Sequence, residues 1–198
     1  MKKNLKHFCK LSEMMLTREK TEQILENAEQ IYSAETIAET VQRLADEITK
    51  QLSEQFPLVL CVMKGAVVFA GHLLPKLAFP LTFDYVQVSR YHNDTSGGAL
   101  NWLTFPQEAI QDRTVLVIDD ILDEGVTLVE IRKKVFDCGA RSFHSVVLAD
   151  KNIGKPKSFQ ADFVGFELPN RYVFGYGMDV YSVWRNLPAI YALQSESG

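Results

Sequence analysis

The run Val115-Leu116-Val117-Ile118 passes directly into Asp119-Asp120-Ile121-Leu122-Asp123-Glu124-Gly125-Val126-Thr127, and a helical pattern follows. An unbroken apolar run of this length suits a strand covered on both faces. A helix behind it makes the pair half of a parallel crossover. Ligands of open α/β sheets sit beyond the carboxyl ends of the strands, so carboxylates following Ile118 stand where a site is expected. Thr127 and Glu130 have the spacing of a capping box, Leu128, Ile131 and Val135 form a buried stripe, and Gly139 supplies the stop.

The rest of the chain repeats the alternation. Ile37, Val41, Leu44, Ile48, Leu52 and Phe56 recur at helical steps, which predicts a helical segment over the first 56 residues with Ser33 as a cap. The period changes at Pro57, where 58–63 is another buried strand. Residues 65–77 predict a helix broken near Pro75, and 81–91 a long strand. Residues 92–100, with Asn93-Asp94 and Gly97-Gly98, predict a mobile hairpin loop suited to act as a lid. Further strands are expected at 145–149, 163–166 and 172–174. The expectation is a single α/β domain spanning 1–198, a parallel sheet with helices wound on both faces.

Composition narrows the function classes. At 46% apolar and 198 residues the chain can bury one core, which excludes a disordered chain or a disulfide scaffold. A formal charge of −4 supplies no bulk attraction for nucleic acid. Cys9, Cys61 and Cys138 are odd in number and widely spaced, with neither a disulfide framework nor a zinc knuckle, so a reducing compartment is expected. No run approaches the roughly 18 apolar residues of a membrane span, and the basic start, Met1-Lys2-Lys3, leads into no apolar signal core. These features predict a cytoplasmic protein without nucleic-acid or membrane partners.

The acidic loop combines two kinds of group. Carboxylates suit sugar hydroxyls or Mg²⁺, while Gly125 before a helix start offers backbone N–H groups and about half a positive charge to a phosphate. A sugar phosphate fits both. The plainer alternative makes Asp119 and Asp120 turn residues, with Asp123 and Glu124 favouring the helix dipole.

Taken together, 115–128 resembles the phosphoribosyl-diphosphate signature of the type I phosphoribosyltransferases. Met63-Lys64-Gly65-Ala66 resembles the pyrophosphate loop of the 6-oxopurine members, and Ser89-Arg90-Tyr91 the start of their mobile catalytic loop. Asp162-Phe163-Val164-Gly165-Phe166-Glu167-Leu168-Pro169, Tyr172-Val173 and Gly175-Tyr176-Gly177-Met178-Asp179 are similar to the hypoxanthine-guanine branch, and the likeness runs from about Leu11 to Ala192. The resemblance implies a type I fold whose parallel sheet carries a small hood built from the N- and C-terminal segments. It also implies purine salvage: transfer of the 5-phosphoribosyl group from phosphoribosyl diphosphate to hypoxanthine or guanine, with Mg²⁺, in a homodimer or homotetramer.

The resemblance further assigns roles. Asp119 and Asp120 hold the ribose hydroxyls and organise Mg²⁺, and Asp123 is the general acid/base at the purine N7. Backbone N–H groups of Glu124, Gly125, Val126 and Thr127, with the Thr127 hydroxyl, hold the 5′-phosphate, although helix capping is a competing role for Thr127. Lys64, Gly65 and Arg185 take pyrophosphate, the Met63–Lys64 bond being one that can be cis in the family, and Asp179 takes a second Mg²⁺. Lys151 donates to the purine 6-oxygen, Tyr172 stacks on the base and the Val173 backbone reads its pyrimidine edge. For Tyr172 and Val173 core packing is the alternative, for Lys64 an ordinary exposed strand-end lysine, and for Arg185 a surface ion pair. Ser89 and Tyr91 belong to the mobile loop. Adenine would set its amino group against the Lys151 donor, leaving a buried group unpaired at about 1–3 kcal/mol. Glu124 stands where Thr or Ser is common and Val126 where Lys is frequent; a carboxylate facing the phosphate would repel it, so Glu124 is expected to face solvent. The competing functions are a regulator of the same fold binding RNA or an effector, and a transferase preferring xanthine or another base.

Overall fold

The computed structural model describes residues 16–90 and 100–194. Its larger sheet contains β2 (Leu58–Met63), β3 (Thr82–Arg90), β4 (Leu100–Thr104), β5 (Thr114–Leu122), β6 (Ser142–Lys151) and β7 (Phe163–Leu168), in the order β4-β3-β2-β5-β6-β7. All neighbours are parallel except β3 and β4, so the expected parallel sheet carries one antiparallel edge. Two adjoining strands separated by a short connection can pair only in that sense.

Helices cover both faces of this sheet. Along β5, Leu116 and Ile118 pack toward α2 (Ala34–Leu52) and α3 (Val67–Leu73), whereas Val115 and Val117 pack toward α4 (Val126–Asp137). That alternation of direction within an unbroken apolar run is the reason the strand needs no polar face. Ile37, Val41, Leu44, Ala45, Ile48 and Leu52 of α2 are fully buried, and Ser33 caps the helix by accepting from the Thr36 N–H. Each large apolar side chain so buried contributes about 1.5–3 kcal/mol relative to exposure. In α4, Leu128, Ile131 and Val135 are buried, and Gly139 at φ +82° follows the helix end.

The first 56 residues are not helical throughout. After α1 (Arg18–Glu26) the chain enters β1 (Ala28–Tyr32), which pairs antiparallel with β9 (Ile190–Leu193), and β9 pairs with β8 (Val173–Phe174). This β1-β9-β8 sheet is the hood, built as expected from early and late segments. Tyr32 fixes it to the main sheet by stacking on Phe166, ring centroids 4.0 Å apart, and by donating to the Glu167 carbonyl. Arg171 ties hood strands together through Glu29 and the Leu193 carbonyl. Met1, Cys9, Tyr91 and the expected lid at 92–100 lie outside the described residues, except Leu100, which opens β4.

Candidate active site

β5 does not stop at Ile118. It continues through Asp119 and Asp120 to Leu122, keeping register with β6 as far as Leu122 opposite Asp150. The acidic pair therefore stands on a strand in the middle of the sheet rather than in a turn, and the turn reading of Asp119 and Asp120 falls. Asp119 is only 7% exposed. The Asp120 N–H donates to Asp119 and the Ile121 N–H to Asp120, at 3.0 and 2.9 Å. Burial pushes the Asp120 carboxyl above the usual range, against the opposing hydrogen bonds and the charge of Arg185.

The loop then rises to Gly125, which caps α4 at φ +86°, a left-handed conformation that a side chain disfavours. No side chain of this cap accepts from the first turn. Thr127 lies inside the helix, so the expected capping box is not formed. Its Ncap position had been taken by a glycine, and the N–H groups that a Ser or Thr would have satisfied remain for an anion. Glu124 is exposed and pairs with Lys155 at 3.2 Å, as the repulsion argument requires.

Two cavities meet at this loop. One, of about 310 Å³, is lined by Gly65, Asp119, Asp120, Asp123, Gly125 and Thr127, among others. The other, of about 220 Å³, is lined by Asp120, Asp123, Lys151, Tyr172, Val173 and Asp179, among others. Asp120 and Asp123 border both. Across the second cavity Lys151 Nζ lies 3.9 Å from Asp123 Oδ2. Tyr172 is 51% exposed, so core packing is not its role, while Val173 is buried. The Tyr172 carbonyl accepts from the Leu193 N–H. Antiparallel pairing alternates, so Val173 turns its own N–H and C=O to the open edge of the hood.

Other expected residues fall less directly. Lys64 is exposed and lines neither cavity, whereas its neighbours Met63 and Gly65 line the first; the Met63–Lys64 peptide is cis. Arg185 also lines neither: it pairs with Asp179 and donates to the Gly177 carbonyl. Val126 starts α4 and lines neither cavity, although Gly125 and Thr127 on either side of it line the first. Ser89 lies near the end of β3, with Val88 rather than Ser89 at the first cavity.

Sequence reasoning named Gly65 but overlooked Gly177 and the close packing that makes these glycines the floor of the site. A methyl group on Gly65 would overlap the Asp120 carboxylate, and one on Gly177, at φ +103°, would overlap the Gly65 carbonyl. The turn at Gly177, the loop at Gly65 and the acidic strand are thus stacked with no room between them. The alternation Gly175-Tyr176-Gly177 was the available signal. Cys61, beneath the acidic pair, is buried and its thiol is pushed up to about 12 by burial and by the charges of Asp119 and Asp120, which leaves it unreactive.

The donor set accommodates a hard divalent cation. Carboxylates border both cavities, yet among the described residues no three His, Cys, Asp or Glu side chains form a metal cluster. Such a site suits an ion that takes one or two protein oxygens and completes its shell with substrate oxygens and water.

Residues 27–181 match the family described as phosphoribosyl transferase domain. The chain is 36% identical over 165 residues to a hypoxanthine-guanine phosphoribosyltransferase of Bacillus subtilis, covering 83% of this chain and 92% of that protein. It is 36% identical over 162 residues to a hypoxanthine-guanine-xanthine phosphoribosyltransferase of Tritrichomonas foetus, covering 81% and 88%. Among solved structures, a hypoxanthine phosphoribosyltransferase of Staphylococcus aureus superposes with a TM-score of 0.80 at 28% identity, covering 85% of this chain and 93% of that one.

Proposed function

From the premise that this chain belongs to the phosphoribosyl transferase domain family, we infer how its two cavities divide the work of one reaction. The enzyme serves purine salvage: it transfers the 5-phosphoribosyl group from phosphoribosyl diphosphate to hypoxanthine or guanine, giving IMP or GMP and pyrophosphate. The observation that carries the division is that Asp123 borders both cavities and faces Lys151 across the second. We assign the first cavity to the phosphoribosyl group and the second to the purine.

In this reading the N–H groups at the start of α4 and the Thr127 hydroxyl hold the 5′-phosphate. Asp119 and Asp120 hold the ribose hydroxyls and place negative charge beside a sugar that becomes oxocarbenium-like as the C1′–O bond breaks. Asp123 takes the N7 proton as the new bond forms. Lys151 donates to the 6-oxygen, Tyr172 lies along the base and the Val173 backbone meets its pyrimidine edge. Gly65 lets the pyrophosphate loop approach, and Arg185 acts there by holding Asp179 and Gly177. We assign Asp179, with Asp119 and Asp120, to Mg²⁺, which supplies charge neutralisation to the departing pyrophosphate. One domain over 1–198, a cytoplasmic setting and a homodimeric or homotetrameric assembly complete the proposal. No described helix is long and apolar enough to cross a membrane.

The test is pyrophosphate release with Mg²⁺ and phosphoribosyl diphosphate, with hypoxanthine, guanine, xanthine, adenine or uracil in parallel. Turnover with hypoxanthine and guanine over adenine is expected, and silence with all five would refute the reading. Asp123→Asn should still bind phosphoribosyl diphosphate while kcat falls by about 10²- to 10⁴-fold; an unchanged kcat would remove the proton-transfer role.

A further inference from the structure

The two strands that carry the base-facing residues end together. Leu122, the last residue of β5, is opposite Asp150 of β6, and the next residues along are Asp123 and Lys151. Lys157, in the connection from β6 to β7, reaches both strand ends. Its ammonium donates to the Leu122 carbonyl at 2.6 Å and pairs with the Asp150 carboxylate, with its side chain only 12% exposed. It borders neither of the two site cavities.

The residues after it continue along the phosphate loop. Ser158 donates to the Glu124 carbonyl from its hydroxyl at 2.9 Å and from its N–H at 3.4 Å. Phe159 lies against Gly125, where an added methyl group would come within 2.8 Å of the Phe159 Cβ. Residues 157, 158 and 159 thus hold residues 122, 124 and 125 in turn, from the side away from the substrate cavities.

We propose that Lys157 is a positioning residue for purine recognition, setting the separation of Asp123 and Lys151 by clamping the strand ends from which they project. The proposal rests on the phosphoribosyl-transfer reading above. Stripping a largely buried ammonium of its partners is costly, and here the partners are the residues immediately before the two that face the base. Lys157 also neutralises the Asp150 carboxylate, while the neighbouring Lys151 ammonium faces Asp123 on the cavity side. Without Lys157, the Leu122 carbonyl loses this donor and the Asp150 carboxylate its partner, so the two strand ends are no longer tied to one another. Displacement of a reacting group by about 1 Å is enough to cost about a hundredfold in rate.

The experiment measures pyrophosphate release by the full chain with hypoxanthine and phosphoribosyl diphosphate. Lys157→Met should raise KM for hypoxanthine about tenfold and lower kcat, while KM for phosphoribosyl diphosphate moves less than about twofold because Ser158 and Phe159 still support the cradle. Lys157→Arg, which keeps the positive charge and offers several donors, should retain most of the wild-type values. Asp150→Ala should shift hypoxanthine KM in the same direction, and the double variant should be no worse than the poorer single one. If Lys157→Met does not fold, Asp150→Ala and Lys157→Arg carry the same comparison. A merely structural lysine would lower unfolding stability and leave both KM values of the folded enzyme in place; that result, equal changes in both KM values, or additive losses would overturn the proposal. An active wild type with unshifted variants refutes the clamp alone, whereas a wild type silent with every base refutes the reading on which it rests.

Discussion

At Gly65 the hydrogen in place of a side chain sets the depth of the site. Any Cβ there overlaps the Asp120 carboxylate, and Asp120 has too short a side chain to retreat while keeping the Ile121 N–H as its donor. Gly65→Ala is therefore expected to fold, because the clash falls on a side chain at the edge of a cavity, and to lose about a hundredfold in kcat/KM. Steady-state kinetics beside a thermal melt check this; near-normal kcat/KM would show that Asp120 can move without consequence. Glu124 illustrates the opposite case. Its charge would oppose a phosphate if turned inward, and Lys155 holds it on the solvent side, so a departure from the usual loop composition leaves the backbone cradle as it was.

At the scale of elements, α2 is the member that the rest of the fold leans on. Its buried stripe packs across the strands whose ends form the site, and Arg43 from the same helix donates to the Val164 and Gly165 carbonyls of β7. Ile48→Ala should cost about 2–5 kcal/mol, read as a shift in the urea midpoint at unchanged slope; a change under about 1 kcal/mol would mean that the sheet closes over the gap. That helix was legible in the sequence because its period is local and its cap is a serine. β1 was not: its five residues carry no alternation strong enough to break the helical reading, and its pairing partner β9 lies far along the chain. The end of β5 was misread for a different reason. Carboxylates ordinarily mark a strand's end, but here the strand carries them through the register with β6 to the mouth of the site. Family resemblance located Asp123, Lys151 and Tyr172, which the folded chain gathers around one cavity. Lys157 had no such signal, since its importance depends on which two carbonyl and carboxylate oxygens the sheet brings within reach of one ammonium.

At the scale of the whole molecule, one surface remains to be accounted for. Phe83 and Tyr85 on β3 and Leu103 on β4 are each about half exposed, an apolar group beside the α3 side of the sheet. Such a patch suits contact with a second copy of the chain. Light scattering at micromolar concentration should give at least twice the mass of one chain, and Tyr85→Arg combined with Leu103→Arg should shift the population toward single chains. A wild type of monomeric mass would refute the assignment.

The hood also imposes an order on the molecule's own making. β1 finds its hydrogen-bond partner in β9, and Trp184 returns to the Thr21 carbonyl across 163 residues of chain. Parallel strands and their crossover helices close through much shorter loops, so the main sheet can be assembled on the ribosome while β1 still waits for residues not yet translated. The hood wall of the second cavity, with Tyr172 and Val173, is consequently finished last, after the strand ends at Asp123 and Lys151 are already in place.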